Sequence, residues 1–207
     1  MNNGTPITHT IDPSTADKTQ LDLLDVVLTS KAREGRENQL YSSLNGARLV
    51  AGGIILNDNN EKVLMISSSK HKVRWIIPKG GVEVDEKDNF AIAALREVWE
   101  EAGAVAVVVK KLDVINDHRL TESSIQTRTE SNVKERSSSS SSSSSHDSFP
   151  ICEFHFYQMK LVRLENVWPE CDNRQRKWCS YEEACRELRR SKRPELLTAL
   201  NSSDIVK

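Results

Sequence analysis

Glu97, Glu100 and Glu101 fall within one short run, Arg96-Glu97-Val98-Trp99-Glu100-Glu101-Ala102-Gly103. On a helix, at about 100° per residue, Glu97 and Glu101 stand about 40° apart and Glu100 about 60° beyond Glu97. Three carboxylates then share an arc of roughly 100°. Like charges at this spacing repel, and the C-terminal half of a helix disfavours anions. A hard divalent cation offsets both effects, because carboxylate oxygens suit Mg²⁺ or Mn²⁺. On the helix alone, a solvated acidic face explains the run equally well.

The segment ahead of the helix shifts that balance. Pro78-Lys79-Gly80-Gly81 is read as a loop whose glycines let the backbone come close to a metal or a phosphate. The helix itself is predicted from about Asn89 to Ala102. Ala91, Ala94, Leu95, Val98 and Ala102 form one apolar stripe, Asp88 is the expected N-cap, and Gly103 sits where glycines end helices.

Strands are expected on both sides of this unit. Arg48 to Leu56 and Lys62 to Ser67 read as strands, with Asp58-Asn59-Asn60 as a turn between them. Trp75-Ile76-Ile77 is a third, stopped by Pro78. Val105 to Ile115 is β-branched and reads as one or two strands, and Glu153 to Leu161 alternates as another. Ser180-Tyr181-Glu182-Glu183 is a capping box that opens a helix through about Arg190, and Pro194 starts a last helix. The expected fold class is α+β, an α/β/α sandwich with a mixed central sheet.

Two stretches stand apart. Residues 1–31 are read as weakly ordered or disordered; the run Leu21 to Leu28 is either a short helix or a docking segment. Thr121 to Phe149, with nine consecutive serines from Ser137 to Ser145, reads as a disordered insertion, a phosphorylated tract or a tolerated surface loop. The folded domain is expected over 32–207, with regular order from about Ala47.

Composition excludes several classes. The net charge of −1 argues against a generic nucleic-acid coat, so a polyanion must meet a local basic cluster. Cys152, Cys171, Cys179 and Cys185 show neither a CxxC pair nor zinc-finger spacing, and are read as reduced thiols. His118, His146 and His155 lack metal-ligand spacing. Trp75 and Trp178 lie in strand-like contexts and read as core; base stacking by any of Trp75, Trp99, Trp168 and Trp178 is the minority reading. Met1 to Lys18 has no apolar centre and no stretch approaches a membrane span, so a cytoplasmic protein with access to the nucleus is expected.

Loop and helix together, PKGG followed by REVWEEAG, resemble the Nudix box: glycine, five residues, glutamate, seven residues, then R-E-aliphatic-x-E-E-x-G. From Gly81 to Arg96 this chain has 15 positions where the family has 14. Either Glu86, which keeps the residue type, or Asp88, which keeps the gap to Arg96, stands for the isolated glutamate. The resemblance implies that Glu97, Glu101 and the Lys79 carbonyl hold Mg²⁺ (or Mn²⁺ or Zn²⁺). It implies that Glu100 activates water and that Arg96 holds the glutamates by ion pairing.

Further segments are similar to diphosphoinositol polyphosphate phosphohydrolases, most closely the fungal form: AREGRENQ and GARLVAG from Ala32, VLMISSSKHKVRWIIPKGG, EFHFY and KRPELL. The likeness spans about Ala32 to Lys207 except the serine insertion. It implies an inositol pyrophosphate substrate, with diadenosine polyphosphates and inorganic polyphosphate also hydrolysed. Such a substrate carries many charges and no base, so its site needs point and fork cations. The implied contacts are Arg33 or Arg36, Arg48, Ser68, Ser69, Lys70, Lys79, Gly80, Gly81, Arg174 and Arg193, with Arg119 a weaker member at the start of the insertion.

Alternative functions are a dinucleoside polyphosphate hydrolase or mRNA-decapping enzyme, and a catalytically dead phosphate-binding module. The last usually lacks one box glutamate, whereas all three are present here. The expected partner is a small polyphosphorylated molecule, met by a monomer, with no membrane and no nucleic acid beyond a cap.

Overall fold

The computed structural model describes residues 28–117 and 150–207. Residues 1–27, the serine tract, His118, Arg119 and His146 lie outside them. Eight strands form one mixed sheet: β1 (Arg48–Leu56), β2 (Lys62–Ser67), β3 (Trp75–Ile76), β4 (Lys79–Gly81), β5 (Ala104–Lys111), β6 (Ile115–Asp117), β7 (Cys152–Leu164) and β8 (Arg176–Ser180). Among the described residues three helices cover it: α1 (Phe90–Ala102), α2 (Tyr181–Arg190) and α3 (Pro194–Asn201). The α/β/α sandwich expected from the sequence is the fold observed. No helix among the described residues is long and apolar enough to cross a membrane.

β1 is the spine. It runs parallel to β7 from Arg48↔Cys152 to Leu56↔Lys160. Its other edge meets β4 near one end and β2 at the other. Val50 to Leu56 is therefore continuously buried, which suits its aliphatic run. Two glycines let neighbours approach. A Cβ on Gly52 would stand 2.6 Å from the Pro78 carbonyl oxygen, and one on Gly53 would stand 2.7 Å from Met159 Sδ and also meet Val98 of α1. The loop and the helix that carry the acidic residues can thus rest directly on the central strand.

β1 and β2 have the bounds the sequence predicts, as does the box-capped start of α2, where Ser180 Oγ accepts from Glu183 N. Other boundaries move. Lys79-Gly80-Gly81 is a strand and not a loop, because it pairs antiparallel with Val50-Ala51-Gly52. The N-cap of α1 is Asn89, whose side chain accepts from Ala91 N at 3.1 Å; Asp88 is exposed. Gly103 closes α1 at φ 59°, the left-handed cap expected. The strand Arg176–Ser180, signalled only by Trp178, exists because it pairs along β2 from Ile66↔Arg176 to Lys62↔Ser180. Order also starts earlier than Ala47: Gln39 bridges to Glu83 and Tyr41 to Arg48. Cys171, Cys179 and Cys185 are free thiols, the last two buried.

Candidate active site

The centre of the site is a buried arginine. Arg96 is 2 % exposed, and each nitrogen of its guanidinium is engaged. Nε and Nη2 grip both oxygens of Glu86, at 2.6 and 3.0 Å. Nη1 donates to Glu97 at 2.8 Å and to Glu100 at 3.2 Å, and Nη2 also donates to the Gly81 carbonyl at 2.9 Å. Burial works against the charged form, but the Glu86 hydrogen bonds and the surrounding carboxylates overcome it and raise the Arg96 pKa. One cation therefore ties β4, the short 3-10 turn Val84–Glu86 and α1 together.

That grip decides the open position in the motif. Glu86 is the isolated acid: it is 2 % exposed and bidentate on Arg96, while Asp88 faces solvent. Counted from Gly80, five residues still precede Glu86, and the gap to Arg96 lengthens from seven to nine. The Val84–Glu86 turn and the extended Asn89 absorb the extra length.

The three helix carboxylates are buried, not solvated. Burial, then the charge of Glu101, pushes Glu97 up to about 8, with Arg96 opposing. Burial likewise raises Glu100, against Arg96 and the Arg33 N–H, which donates to Glu100 Oε1 at 3.2 Å. Glu101 is raised by burial, against Lys79 and Arg174. Its Oε2 accepts the Lys79 N–H at 2.7 Å, and its Oε1 accepts Arg174 Nη2. The half-buried Lys79 ammonium is lowered by burial, with Glu101 opposing.

Around this edge lie the basic residues read from the sequence. Arg174 is buried between Glu101, Glu170 and the Ser67 carbonyl. Ser68, Lys70, His71, Arg74 and Arg193 line a cavity of about 310 Å³, and the Arg193 guanidinium also holds Glu195. Ser69, Lys72, Arg33 and Glu170 line a larger one of about 680 Å³. Arg33 is not free for an anion: its side chain donates to Glu83 at 2.8 Å and to Asp85 at 3.0 Å. Arg48 Nε donates to Gln39 at 2.6 Å, and Arg36 is exposed. Thus Ser68, Ser69, Lys70 and Arg193 are brought to cavities, Arg174 is brought to the carboxylates, and Arg33 and Arg48 are paired at the arm.

A profile of the NUDIX domain family matches residues 47–200. This chain belongs to that family. Nudix hydrolase 16, mitochondrial, of Arabidopsis thaliana is 32% identical over 76% of this chain and 81% of its own length. Diphosphoinositol polyphosphate phosphohydrolase 3-alpha of Homo sapiens is 38% identical, but over 63 residues, which is 30% of this chain and 37% of that protein. That match is narrower than the Ala32 to Lys207 likeness read from the motifs. Among solved structures, a NUDIX hydrolase from Nitrosomonas europaea superposes with a TM-score of 0.53 at 14% identity, covering 75% of this chain and 87% of that one, a likeness of fold.

Nudix hydrolases generally use a divalent metal such as Mg²⁺. Among the described residues no three His, Cys, Asp or Glu side chains already converge into a ligand set. The implied set needs only two carboxylates and a main-chain carbonyl, since Mg²⁺ keeps several waters. The residues fit it. A Cβ at Gly80 would run into the Glu97 carboxylate, so the glycine is what lets β4 and Glu97 share this space. Glu97 and Glu101 are buried carboxylates, and burial raises the pKa of both against the cations beside them.

Some residues escaped sequence reasoning. Glu83 and Asp85 secure the arm through Arg33, and Glu170 secures Arg174. The four-residue spacing of Glu170 and Arg174 is a weak signal of that pair. Trp99 Nε1 donates to the Thr29 carbonyl at 2.8 Å. Trp75 and Trp178 pack on the core, as expected, with Lys177 over the Trp75 ring.

Proposed function

We propose that this Nudix protein is a metal-dependent phosphohydrolase that removes the terminal phosphate of diphosphoinositol polyphosphates, in the fungal form its motifs resemble, and also accepts diadenosine polyphosphates and inorganic polyphosphate. The coarser reading, hydrolysis of a pyrophosphate linkage, rests on family membership. The finer one has its support in a single arrangement: a buried, Arg96-organised carboxylate edge beside cationic cavities whose described lining contains no Phe, Tyr or Trp. A substrate with a nucleobase would find no larger aromatic face in that lining than the His71 imidazole. A highly phosphorylated ring finds Lys70, Arg74 and Arg193 as donors, with Ser68 beside them.

In this reading Glu97, Glu101 and the Lys79 carbonyl hold the cation. When bound, it neutralises phosphate charge and acidifies an attacking water. Glu100 would take the proton from such a water; burial raises its pKa above the usual carboxylate value. Arg96 positions Glu97 and Glu100 and does not touch substrate. Lys79, Gly80 and Gly81 place backbone beside the scissile group. Lys70, Ser68, Ser69 and Arg193 receive the remaining phosphates, with Arg174 and the exposed Arg36; Arg33 and Arg48 join them only on leaving Glu83, Asp85 and Gln39. Arg119 keeps this role as a proposal from resemblance alone.

The test is a hydrolysis panel with Mg²⁺, Mn²⁺ or Zn²⁺ over diphosphoinositol pentakisphosphate, a diadenosine polyphosphate, polyphosphate and capped RNA. The highest kcat/KM is expected for the inositol pyrophosphate. A clear preference for the diadenosine substrate or the cap overturns the ranking. Tight binding without turnover under any metal overturns the enzyme.

A further inference from the structure

We propose that Arg174 is an exchangeable internal counter-charge at Glu101: it holds the carboxylate while no divalent cation is there, gives it up when one arrives, and then offers the released N–H to substrate phosphate. This rests on the reading that Glu101 is a metal ligand.

Both oxygens of Glu101 are engaged, Oε2 by the Lys79 N–H and Oε1 by Arg174 Nη2. The two side chains are each 7% exposed, so the pair is shielded from water. A carboxylate this deep is costly without a counter-charge, and Arg174 supplies it. A guanidinium and a dication on one buried carboxylate repel each other strongly, because shielding is weak there. A cation taking Glu101 must therefore turn Arg174 away.

Arg174 has somewhere to stay. Its Nε lies on Glu170, which can keep hold of it, and its Nη1 on the Ser67 carbonyl at 3.0 Å. The turn carrying it is tied to α1, because the Glu170 N–H donates to the Glu100 carbonyl at 3.1 Å. Glu170 and Asn173 line the 680 Å³ cavity together with Ser69 and Lys72. The guanidinium is planar and turns as one body about its Nε, so letting go of Glu101 also takes Nη1 off the Ser67 carbonyl, and both Nη groups then move beside that cavity. Metal binding then creates an anion-binding donor, so cation and phosphate bind in that order.

The experiment titrates Mn²⁺ alone into the full chain and into Arg174→Met, Arg193→Met and Glu101→Gln, reading free Mn²⁺ by electron paramagnetic resonance. Arg174→Met is expected to bind about tenfold more tightly, in line with coupled-site effects. Arg193→Met, which removes an equal charge without contacting Glu101, is expected to bind nearly as the parent does. Equal tightening in both variants, or none in Arg174→Met, overturns the exchange. Parent-like binding by Glu101→Gln instead sinks the underlying metal reading. Should Arg174→Met fail to fold, the Arg174 Nε–H resonance of the unaltered protein decides: it shifts on adding Mg²⁺ if the arm lets go, and an unmoved signal at saturation overturns the proposal.

Discussion

The carboxylate edge of α1 and the cationic rim at Lys70, Arg74 and Arg193 are built in opposite ways. On the edge, charges are buried and answered one by one: Glu86, Glu97 and Glu100 by Arg96, and Glu101 by Arg174 and the Lys79 N–H. On the rim, Lys70 is exposed, and it faces an open cavity with Arg74 and Arg193. The edge is held rigidly by hydrogen bonds that leave little choice of geometry. The rim is held loosely by side chains with several rotamers each. Chemistry that tolerates no displacement belongs to the first, and recognition that sums several weak contacts belongs to the second.

The largest effects should come from the edge. Glu100→Gln keeps the shape and removes the proposed base, so kcat is expected to fall about 10³-fold with KM little changed. Steady-state kinetics on the inositol pyrophosphate checks this, and unchanged turnover would remove Glu100 from its role. Arg96→Met should act on the fold itself. It strands Glu86 at 2 % exposure along with Glu97 and Glu100, and breaking such a buried pair costs about 3–5 kcal/mol. Urea denaturation of the metal-free protein measures that loss; a drop below about 1 kcal/mol, the scale of an exposed pair, would mean the network is not shielded as described.

The two regions were not equally legible in the sequence. REVWEEAG displays the edge, because helical period puts its acids on one side whatever the rest of the chain does. The period does not show burial, so a solvated face stayed open until Arg96 proved to sit inside. Nor did it choose between Glu86 and Asp88, a choice made by a single 3-10 turn. β1, β2 and both later helices were readable from local pattern and caps. β4 and β8 were not, because Lys79-Gly80-Gly81 and the Arg176 strand are defined by partners distant in sequence. The rim was the least readable part. Basic residues carry no period, and nothing local tells Arg33, which is spent on Glu83 and Asp85, from Lys70, which faces a cavity.

A third test separates the regions by pH. Glu97 rises from 4.5 to about 8 in the metal-free fold, so the folded state binds the extra proton between those values. Its contribution to stability is full below about 4.5 and is lost as the pH rises through about 8. Melting temperatures in EDTA should therefore decline across that window, and Glu97→Gln should flatten the decline. A profile identical in parent and variant would show that Glu97 is ionised across the window. Substitutions on the exposed rim, such as Lys70→Ala, should leave the profile as it is.

The smallest single effects belong to the rim, where the diagnostic quantity is how they combine. Lys70→Ala is expected to raise KM about fivefold, the scale of an exposed charge pair, with kcat little changed. Arg193→Ala should do the same, with a further loss of stability because its pair with the buried Glu195 is broken. Both penalties should shrink as salt is raised, since open cavities are screened. They should also fall as the substrate carries fewer phosphates, so that a diadenosine polyphosphate feels each substitution less than an inositol pyrophosphate does. Equal penalties on both substrates would mean that these cations contact only the pyrophosphate group common to them. The rim would then have no part in choosing the substrate, and specificity would have to reside on the edge.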